Sequence, residues 1–336
     1  MADRVFEGRH ILQWHITHRC NLRCTHCYQT DYAARMSREQ LFSALDRYER
    51  FLILHSLRGQ INLTGGEPLT HPDFFDLALE IRRRGMDLAV LTNGTLITPA
   101  LAHRLALLQP VFVQVSLDGT ERVHDSVRGP GSWRRALEGI DLLKAAGLPV
   151  HVSFTAHRKN ARSLLPLALV CRAHRVDKLW FDRVVIPRGE DRAGLTLSTE
   201  EFRRLVRTAS RLRRRTPLRC DRALQFLCSG DSPCYRCGAG GDLLIFLADG
   251  GIMPCRRLPF VIGNVEDGEL EDILQSSPVM QSLRCAPVPD ACIGCEYAER
   301  CRGGAKCVTY AQTGELFSRD VNCWLGKNSS LRKSFC

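Results

Sequence analysis

The sequence predicts an α/β protein in which parallel strands alternate with helices, followed by a smaller cysteine-rich unit. Strand-like and helix-like segments alternate six times up to about residue 215. Beyond Pro217 the helical periodicity fades, while glycine, proline and cysteine become frequent. The length of 336 residues is also long for one compact domain. We therefore expect two units, residues 1–215 and 216–336.

The six strands are predicted from short apolar or alternating segments, each followed by a helical pattern. The predicted strands are His10–Thr17, Gln60–Leu63, Asp87–Leu91, Val111–Leu117, Val150–Ala156 and Lys178–Ile186. The predicted helices are 37–54, His71–Arg84, Pro99–Leu108, Ser132–Ala146, Ala161–His174 and Thr199–Arg215. Such alternation indicates parallel strands with crossover helices. It is compatible with a doubly wound sheet or with an incomplete barrel.

Local signals support several of these boundaries. Ser37 and Gln40 form a capping box at the first helix, and Pro99 suits the first turn of the third. Gly147 suits the end of the helix that precedes it. After the boundary, Asp242–Leu247 resembles a short strand that leads into a turn.

Composition favours a water-soluble protein, because 44% of residues are hydrophobic and 25% are charged. The first ten residues lack the apolar stretch of a secretory signal, and the apolar runs are too short for a membrane span. We therefore expect a cytoplasmic protein without a membrane partner. The net charge of +11 includes an arginine run from Arg203 to Arg219, which is either a solvated helix face or a docking surface for an acidic partner. Nucleic acid is not the expected partner, since no aromatic-rich motif accompanies the charge.

The 16 cysteines indicate metal binding or catalysis more than disulfides, given the expected compartment. Three lie within Cys20–Cys27, twelve lie between Cys220 and Cys336, and Cys171 alone occupies the long middle. A disulfide framework would place cysteines in the middle of the chain as well, whereas separate metal sites would concentrate them in a few segments. The distribution therefore predicts a site near each end of the chain.

The first of these sites has the spacing C-x3-C-x2-C, formed by Cys20, Cys24 and Cys27 just after the first strand. The C-terminal ends of parallel strands are where active sites of α/β folds are found. Three thiolates are one too few for a closed tetrahedral zinc site or a fully ligated four-iron cluster. A zinc site or buried thiols remain the alternative, but a four-iron cluster with one open iron fits the number better.

This motif, with His26 in the aromatic position before the last cysteine, resembles the signature of the radical S-adenosylmethionine (SAM) superfamily. The resemblance implies a partial (βα)6 barrel of the TIM-like type and a [4Fe–4S] cluster whose open iron binds SAM. It also implies reductive cleavage of SAM to a 5′-deoxyadenosyl radical, which abstracts hydrogen from a substrate. Tyr28, next to the last cysteine, is expected near the cofactor.

Further loops resemble the family's SAM-binding elements, all at the C-terminal ends of predicted strands. The stretch Thr64-Gly-Gly-Glu-Pro resembles the GGEP motif, which binds the SAM amino group. The remaining resemblances are at Asn93, at Ser116 and at Arg128, whose guanidinium suits the SAM carboxylate. The expected SAM-binding residues from these loops are Gly65, Gly66, Glu67, Pro68, Asn93, Ser116 and Arg128.

The C-terminal cysteines resemble the SPASM domain, an auxiliary-cluster extension of radical SAM enzymes. The resemblance implies one or two auxiliary clusters, and we expect two of the [4Fe–4S] type. One would be bound by Cys292, Cys295, Cys301 and Cys323. The other would be bound by Cys237 and Cys255 with either Cys234 or Cys228. The family usually has a fourth cysteine at the position of Ala305, so either Cys307 substitutes for it or one iron stays open.

The resemblance implies an oxidoreductase that matures a peptide or protein, as in ribosomal peptide natural products, by crosslink, thioether, epimerisation or oxidation. The alternatives are a tetrapyrrole or other small cofactor precursor and, more remotely, a non-enzymatic metal- or nucleic-acid-binding protein. Expected partners are a peptide substrate, with or without a separate leader-recognition protein, and a reduced flavodoxin or ferredoxin-type electron donor. Related sulfatase maturases carry an aspartate where this chain has Arg256, which is therefore a candidate substrate contact for a carboxylate.

Overall fold

The computed structural model describes residues 8–29, 31–188, 190, 193–229 and 234–325, so the outer ends of both predicted units lie outside the described residues. Within this part of the chain, one sheet contains β1 (Arg9–His15), β2 (Arg58–Thr64), β3 (Asp87–Thr92), β4 (Phe112–Ser116), β5 (Val150–Ala156), β6 (Lys178–Arg183), β7 (Leu243–Phe246), β8 (Gly251–Met253) and β9 (Gly263–Asn264). The helices of the first unit are α1 (Arg38–Leu54), α2 (Phe74–Arg83), α3 (Pro99–Leu107), α4 (Glu121–Arg128), α5 (Ser132–Ala145), α6 (Leu164–Ala173) and α7 (Thr199–Leu212). Those that follow are α8 (Phe226–Ser229), α9 (Leu270–Ser276), α10 (Pro278–Arg284), α11 (Ala298–Cys301) and α12 (Lys306–Thr313).

The strand order decides between the two architectures that periodicity left open. Strands β1 to β6 are parallel, and each lies beside its predecessor in the chain, in the order β6-β5-β4-β3-β2-β1. A doubly wound sheet reverses its direction at a switch point, and β1 to β6 have no such reversal. All crossover helices therefore pack on one face of the sheet, which confirms the predicted partial (βα)6 barrel.

The two faces of the barrel strands differ in chemistry. The face toward the helices is apolar and buried, and it carries Leu12, Trp14, Ile61, Leu63, Val113, Val115, Val152, Phe154, Leu179 and Phe181. The concave face is polar and carries Gln13, His15, Asn62, Gln114, Ser116, His151, Ser153 and Trp180. Across it, the indole N–H of Trp180 donates to Oε1 of Gln114 at 3.0 Å. The main hydrophobic core thus lies between strands and helices, and the barrel interior is left for polar ligands.

Most predicted boundaries agree with the structure to within a few residues. The Ser37 capping box at α1 is present, with its reciprocal hydrogen bonds to Gln40. The predicted helix from His71 begins only at Phe74, because Pro68–Thr70 forms a separate 3-10 turn. Helix α4 was not predicted, since its eight mostly polar residues give little apolar periodicity.

The second unit continues the sheet of the first. Strand β7 pairs in parallel with β1, opposite Ile11 to Trp14, and β8 and β9 add antiparallel strands beyond it. The helices α9, α10 and α12 were not expected from the sequence, where periodicity fades. The domain boundary near residue 216 remains a prediction. No helix in the described ranges is both long and apolar enough to cross a membrane.

Candidate cluster and cofactor site

Three thiols share the loop that follows β1. The main-chain N–H of Leu22 donates to Sγ of Cys20, and that of Gln29 donates to Sγ of Cys27, each at 3.4 Å. A turn between Cys24 and Cys27 is closed by a main-chain hydrogen bond of 3.1 Å. Hydrogen bonds from the main chain to sulfur are typical of cysteines that bind iron–sulfur clusters. The loop therefore presents its sulfurs in a form that suits a cluster.

The electrostatics of these thiols indicate that they face one another. Burial raises the pKa of Cys24 to about 11, against the opposing effect of the Arg128 guanidinium, and the thiols of Cys27 and Cys20 raise it further. Burial is likewise the main cause of the raised pKa of Cys20, to which Cys27 contributes. Bound iron offsets such a cost, because thiolate ligands bind it in their charged form. Within the described ranges, no group of three His, Cys, Asp or Glu side chains is placed to hold a single metal ion.

The GGEP stretch supports this cysteine loop through its main chain. Gly66 N donates to the carbonyl oxygen of Thr17 at 2.7 Å, and Glu67 N donates to that of Arg19 at 2.8 Å. A Cβ atom on Gly65 would overlap the Thr17 carbonyl oxygen, and one on Gly66 would overlap that of Arg19. Glycine is required here because the loop after β2 lies directly against the loop that carries the thiols.

The Glu67 carboxylate is held by hydrogen bonds from the end of β3 and from its own loop. It is fully buried and accepts hydrogen bonds from Oγ1 of Thr92 at 2.7 Å, N of Asn93 at 2.8 Å and N of Leu69 at 3.3 Å. Burial raises its pKa to about 7, although these donors oppose the shift. The side chain thus joins the ends of β2 and β3 and caps the turn that Pro68 begins, and it does not face an open cavity. The contact that this geometry leaves for an ammonium group is the main chain of the stretch.

Asn93 connects the third loop to the cysteine loop. Its Nδ2 donates to Oδ1 of Asn21, the neighbour of Cys20, at 2.8 Å, and its Oδ1 accepts from N of Thr95 at 2.9 Å. The side chain is therefore held beside the cluster loop. Ser116 lies on the concave face, half-buried, with its hydroxyl 3.4 Å from that of Ser153. The first residue shapes the mouth of the barrel, and the second lines its interior.

A buried ion pair holds Arg128 beside the thiols. Its Nε donates to Oδ2 of Asp118 at 2.6 Å, and its Nη1 lies 3.9 Å from Sγ of Cys24. His26 Nε2 lies 3.7 Å from the same carboxylate. Burial alone would raise the pKa of Asp118, but Arg128 and then His26 bring it down to about 2. Asp118 is not among the SAM-binding residues expected from the sequence, although it belongs to the polar Ser116-Leu-Asp-Gly stretch at the end of β4.

Tyr28 and Arg256 join the first cysteine loop to the second unit. The guanidinium carbon of Arg256, in the loop after β8, lies 4.2 Å from the centre of the Tyr28 ring. Burial raises the pKa of Tyr28, Arg256 opposes this, and the thiols of Cys27 and Cys255 both contribute to the increase. The two cysteine-bearing loops thus meet at this aromatic ring.

The cysteines of the second unit separate into two groups. The first, here called the inner group, consists of Cys237, Cys255 and Cys307. The thiols of Cys255 and Cys307 interact, and this interaction lowers the pKa of Cys307 to about 7 and raises that of Cys255. The charge of Cys307 is also the main neighbouring influence, after burial, on the raised pKa of Cys237. Cys307 therefore lies with these two thiols despite its shift of two residues from the usual position.

The second, here called the outer group, consists of Cys292, Cys295, Cys301 and Cys323, which together line one cavity. Arg319 lies at this cavity, with its Nη2 3.5 Å from Sγ of Cys323. Burial raises the pKa of Cys301 to about 12, with further contributions from other thiols that include Cys323. A cavity lined by four thiols, with one cation beside them, fits a four-iron cluster.

Cys234 does not lie where the sequence placed it. We expected either Cys234 or Cys228 to join Cys237 and Cys255, but the neighbouring thiols that affect the pKa of Cys234 are Cys295 and Cys301 of the outer group. Cys228 is buried on α8, with its carbonyl oxygen accepting from the Ser210 hydroxyl of α7. The sequence spacing alone could not reveal this position, because the three residues from Cys234 to Cys237 span the distance from one thiol group to the other. Among the described residues, the inner group thus contains three thiols.

Comparisons with known proteins agree with this arrangement. Residues 14–160 match the radical SAM superfamily, and residues 237–301 match the SPASM iron–sulfur cluster-binding domain. Mycofactocin maturase MftC of Mycobacterium tuberculosis is 29% identical over 96% of this chain and 85% of its own length. The AdoMet-dependent heme synthase of Methanosarcina barkeri is 25% identical over 93% of this chain and 95% of its own length.

Two solved structures share the fold. Native anSMEcpe with bound AdoMet and the Cp18Cys peptide has a TM-score of 0.77 and 20% identity, covering 93% of both chains. Streptococcus suis SuiB bound to the precursor peptide SuiA has a TM-score of 0.74 and 18% identity, covering 94% of this chain and 76% of that one. The chain thus contains a radical SAM domain followed by a SPASM domain, in the order that the sequence predicted.

Proposed function

We propose that this enzyme matures a peptide or protein substrate at the mouth of its barrel. The observation that carries the proposal is the meeting of the Cys20–Cys27 loop with the Cys255 loop at Tyr28, above a polar concave face. When bound, the cluster and SAM supply a 5′-deoxyadenosyl radical that removes a hydrogen atom from the substrate. Relatives named for peptide maturation, and a structural neighbour solved with a precursor peptide, support a peptide substrate.

The roles of individual residues in this proposal follow from their contacts. Cys20, Cys24 and Cys27 would bind the first cluster, and Arg128 beside Cys24 would hold the SAM carboxylate. The buried carboxylate of Asp118 would orient that guanidinium. The main chain at Gly65 and Gly66, together with His26, Tyr28, Asn93 and Ser116, would complete the walls of the SAM site. Exclusion of water from the barrel mouth would protect the radical step.

The test is anaerobic reconstitution with iron and sulfide, followed by iron and sulfide quantitation and a SAM-cleavage assay with a strong reductant. We expect about three clusters of iron and formation of 5′-deoxyadenosine by the wild type. The triple variant Cys20→Ala, Cys24→Ala and Cys27→Ala should lose about one cluster and all cleavage. Its matched control is Cys285→Ser, at an exposed thiol of the second unit. A wild type that binds zinc, or that never cleaves SAM, contradicts the proposal.

A second candidate substrate is a tetrapyrrole, favoured by the similarity to heme synthases over nearly the whole chain. A short peptide encoded beside this gene and a propionate-bearing porphyrin should be compared as stimulants of 5′-deoxyadenosine formation. Stimulation by the peptide alone supports peptide maturation, and stimulation by the porphyrin alone supports the second candidate. A cytoplasmic location, a flavodoxin or ferredoxin-type electron donor and a separate leader-recognition protein belong to the same proposal.

A further inference from the structure

The end of strand β6 is joined to the second unit by two ion pairs. Asp182 accepts a hydrogen bond from Nη2 of Arg257 at 2.7 Å. Its neighbour Arg183 donates to both carboxylate oxygens of Asp320, from Nη1 at 2.7 Å and from Nη2 at 2.9 Å. Because successive residues of a strand point to opposite faces, the two pairs lie on different sides of β6. The Arg183 pair lies on the helix side, where the guanidinium carbon is 4.4 Å from the ring centre of Phe202 in α7.

Asp320 belongs to a turn that ends at a thiol of the outer group. Its Oδ1 accepts from the main-chain N–H of Asn322 at 3.0 Å, and its carbonyl oxygen accepts from that of Cys323 at 2.8 Å. Arg183 contacts the same turn a third time, since its Nη1 also donates to Oδ1 of Asn322 at 2.9 Å. The guanidinium of the barrel strand therefore holds the turn that carries Cys323.

Asp320 also holds the segment that follows Cys301, another thiol of the outer group. Its Oδ2 accepts from the main-chain N–H of Ala305 at 3.0 Å. Its own N–H donates to the carbonyl oxygen of Gly303 at 2.8 Å. A Cβ atom on Gly304 would lie 2.7 Å from the Asp320 side chain, so the two segments are in close contact. One carboxylate thus joins the chain after Cys301 to the chain before Cys323.

Stability alone does not explain this ion pair. Arg183 is 3% exposed and Asp320 is 2% exposed, so both charges lose their hydration on folding. A well-packed apolar pair of similar volume is often as stable as a buried ion pair, or more stable. An apolar pair has no preferred direction, whereas two parallel hydrogen bonds between a guanidinium and a carboxylate fix the orientation of both groups. The pair is therefore suited to setting a geometry.

We propose that Arg183 and Asp320 are positioning residues for the cluster of the outer group. Acting through the main chain around Asp320, they set the separation of Cys301 and Cys323, so that the four sulfurs of the outer group fit one four-iron cluster. Because Arg183 belongs to β6, the same contacts hold that cluster at a fixed place beside the barrel. This inference goes beyond the proposed function and holds for a peptide and for a tetrapyrrole substrate alike.

The experiment uses the anaerobically reconstituted full chain and needs no substrate. The main variant is Arg183→Met with Asp320→Asn, which removes both charges together and leaves no isolated buried charge. We expect it to lose about four of about twelve iron atoms, and with them the electron paramagnetic resonance signal of the outer cluster. That signal is identified as the one missing from the variant Cys292→Ser with Cys295→Ser. The first cluster should still change its spectrum when SAM is added.

Arg183→Lys tests the geometry of the pair separately. It keeps the positive charge but replaces the planar guanidinium with an ammonium group, which cannot form the two parallel hydrogen bonds. We expect this variant to bind the outer cluster with a changed resonance spectrum and to release its iron to a chelator about tenfold faster than the wild type. Far-ultraviolet circular dichroism of each reconstituted variant checks that the fold is kept.

Two controls address other ion pairs between the units. Asp182→Asn breaks the second pair of β6, and Arg50→Met breaks an exposed pair in which Arg50 of α1 donates twice to Glu269, at 2.9 and 3.0 Å. Both variants should keep the outer signal.

Three results overturn the inference: wild-type iron and outer signal in the double variant, wild-type spectrum and iron release in Arg183→Lys, or loss of all three clusters together. An equal loss of the outer signal in Asp182→Asn also overturns it, since the effect then belongs to contact between the units in general. Because neither SAM cleavage nor substrate is measured, failure here is distinct from failure of the proposed function.

Discussion

At the scale of single residues, the sequence predicted which residues belong to the site more reliably than it predicted their side-chain contacts. The motif around Gly66 and Glu67 was recognisable in the sequence, but its side-chain contacts were not. Glu67 is one of the expected SAM-binding residues, and its buried carboxylate accepts three hydrogen bonds. Those donors come from Thr92, Asn93 and Leu69, and only the fold brings the first two close. A sequence motif thus identifies the loop, whereas burial decides which of its atoms are available.

Gly66 provides a prediction at this scale. Because a Cβ atom would overlap the main-chain oxygen of Arg19, next to Cys20, we expect Gly66→Ala to displace the cysteine loop. Iron content after reconstitution should fall by about one cluster of three, and SAM cleavage should be largely lost. The measurement is iron quantitation together with the 5′-deoxyadenosine assay.

The control is Gly194→Ala, at a glycine of ordinary φ with no atom within 4 Å of the added Cβ. This variant should keep both iron and activity. Full iron content and full SAM cleavage in Gly66→Ala would contradict the prediction. They would mean that the cysteine loop moves to accommodate the added Cβ atom.

At the scale of elements, the first unit was predictable and the second was not. Strands and helices of the barrel follow strong periodic patterns, so only boundaries and the short, polar α4 escaped the sequence analysis. In the second unit, helices such as α12 are short and are separated by segments rich in cysteine, glycine and proline, so their periodicity is weak. The grouping of thiols also depends on how these short elements pack. Cys234 and Cys237 are three residues apart, yet Cys237 belongs to the inner group and Cys234 lies near Cys295 and Cys301 of the outer group.

This grouping predicts different effects for two cysteine variants. Cys307→Ser removes one of only three thiols in the inner group, so we expect the reconstituted protein to lose about four of about twelve iron atoms. Cys234→Ser leaves the four thiols of the outer cavity in place, so its iron content should match the wild type. Iron quantitation and electron paramagnetic resonance of the reduced protein measure both. Loss of a cluster in Cys234→Ser, or none in Cys307→Ser, would show that the groups are assigned wrongly.

At the scale of the whole molecule, charge is distributed unevenly. Residues 203–219 contain eight arginines and no acidic residue, and Arg204, Arg211, Arg214 and Arg215 are exposed. Helix α7 contacts α8 through Ser210 and Cys228, and Phe226 of α8 packs on Tyr297 at 5.1 Å, close to the outer group. The basic helix therefore lies one helix away from the outer cavity, which favours the docking-surface interpretation over a merely solvated face.

We expect the double variant Arg211→Glu and Arg214→Glu to slow reduction of the auxiliary clusters by an acidic flavodoxin about tenfold at low ionic strength. Reduction by dithionite should stay the same, because a small reductant needs no docking surface. Stopped-flow absorbance of the clusters measures both rates. The control is Arg122→Glu with Arg135→Glu, at exposed arginines of α4 and α5. Equal slowing in both variants would indicate a general effect of net charge.

The pairing of β7 with β1 has a consequence for electron flow. The Cys20 loop follows β1, and the hairpin of β7 and β8 leads to the Cys255 loop, so neighbouring strands of one sheet carry both. Electron-tunnelling rates fall steeply with the distance between redox centres. A hinge between the two units would make that distance, and therefore the rate, fluctuate. Here the ladder of main-chain hydrogen bonds between β1 and β7 fixes the separation of the two cysteine-bearing loops. Transfer between the two centres would then proceed at one steady rate, whatever the rest of the chain does around the substrate.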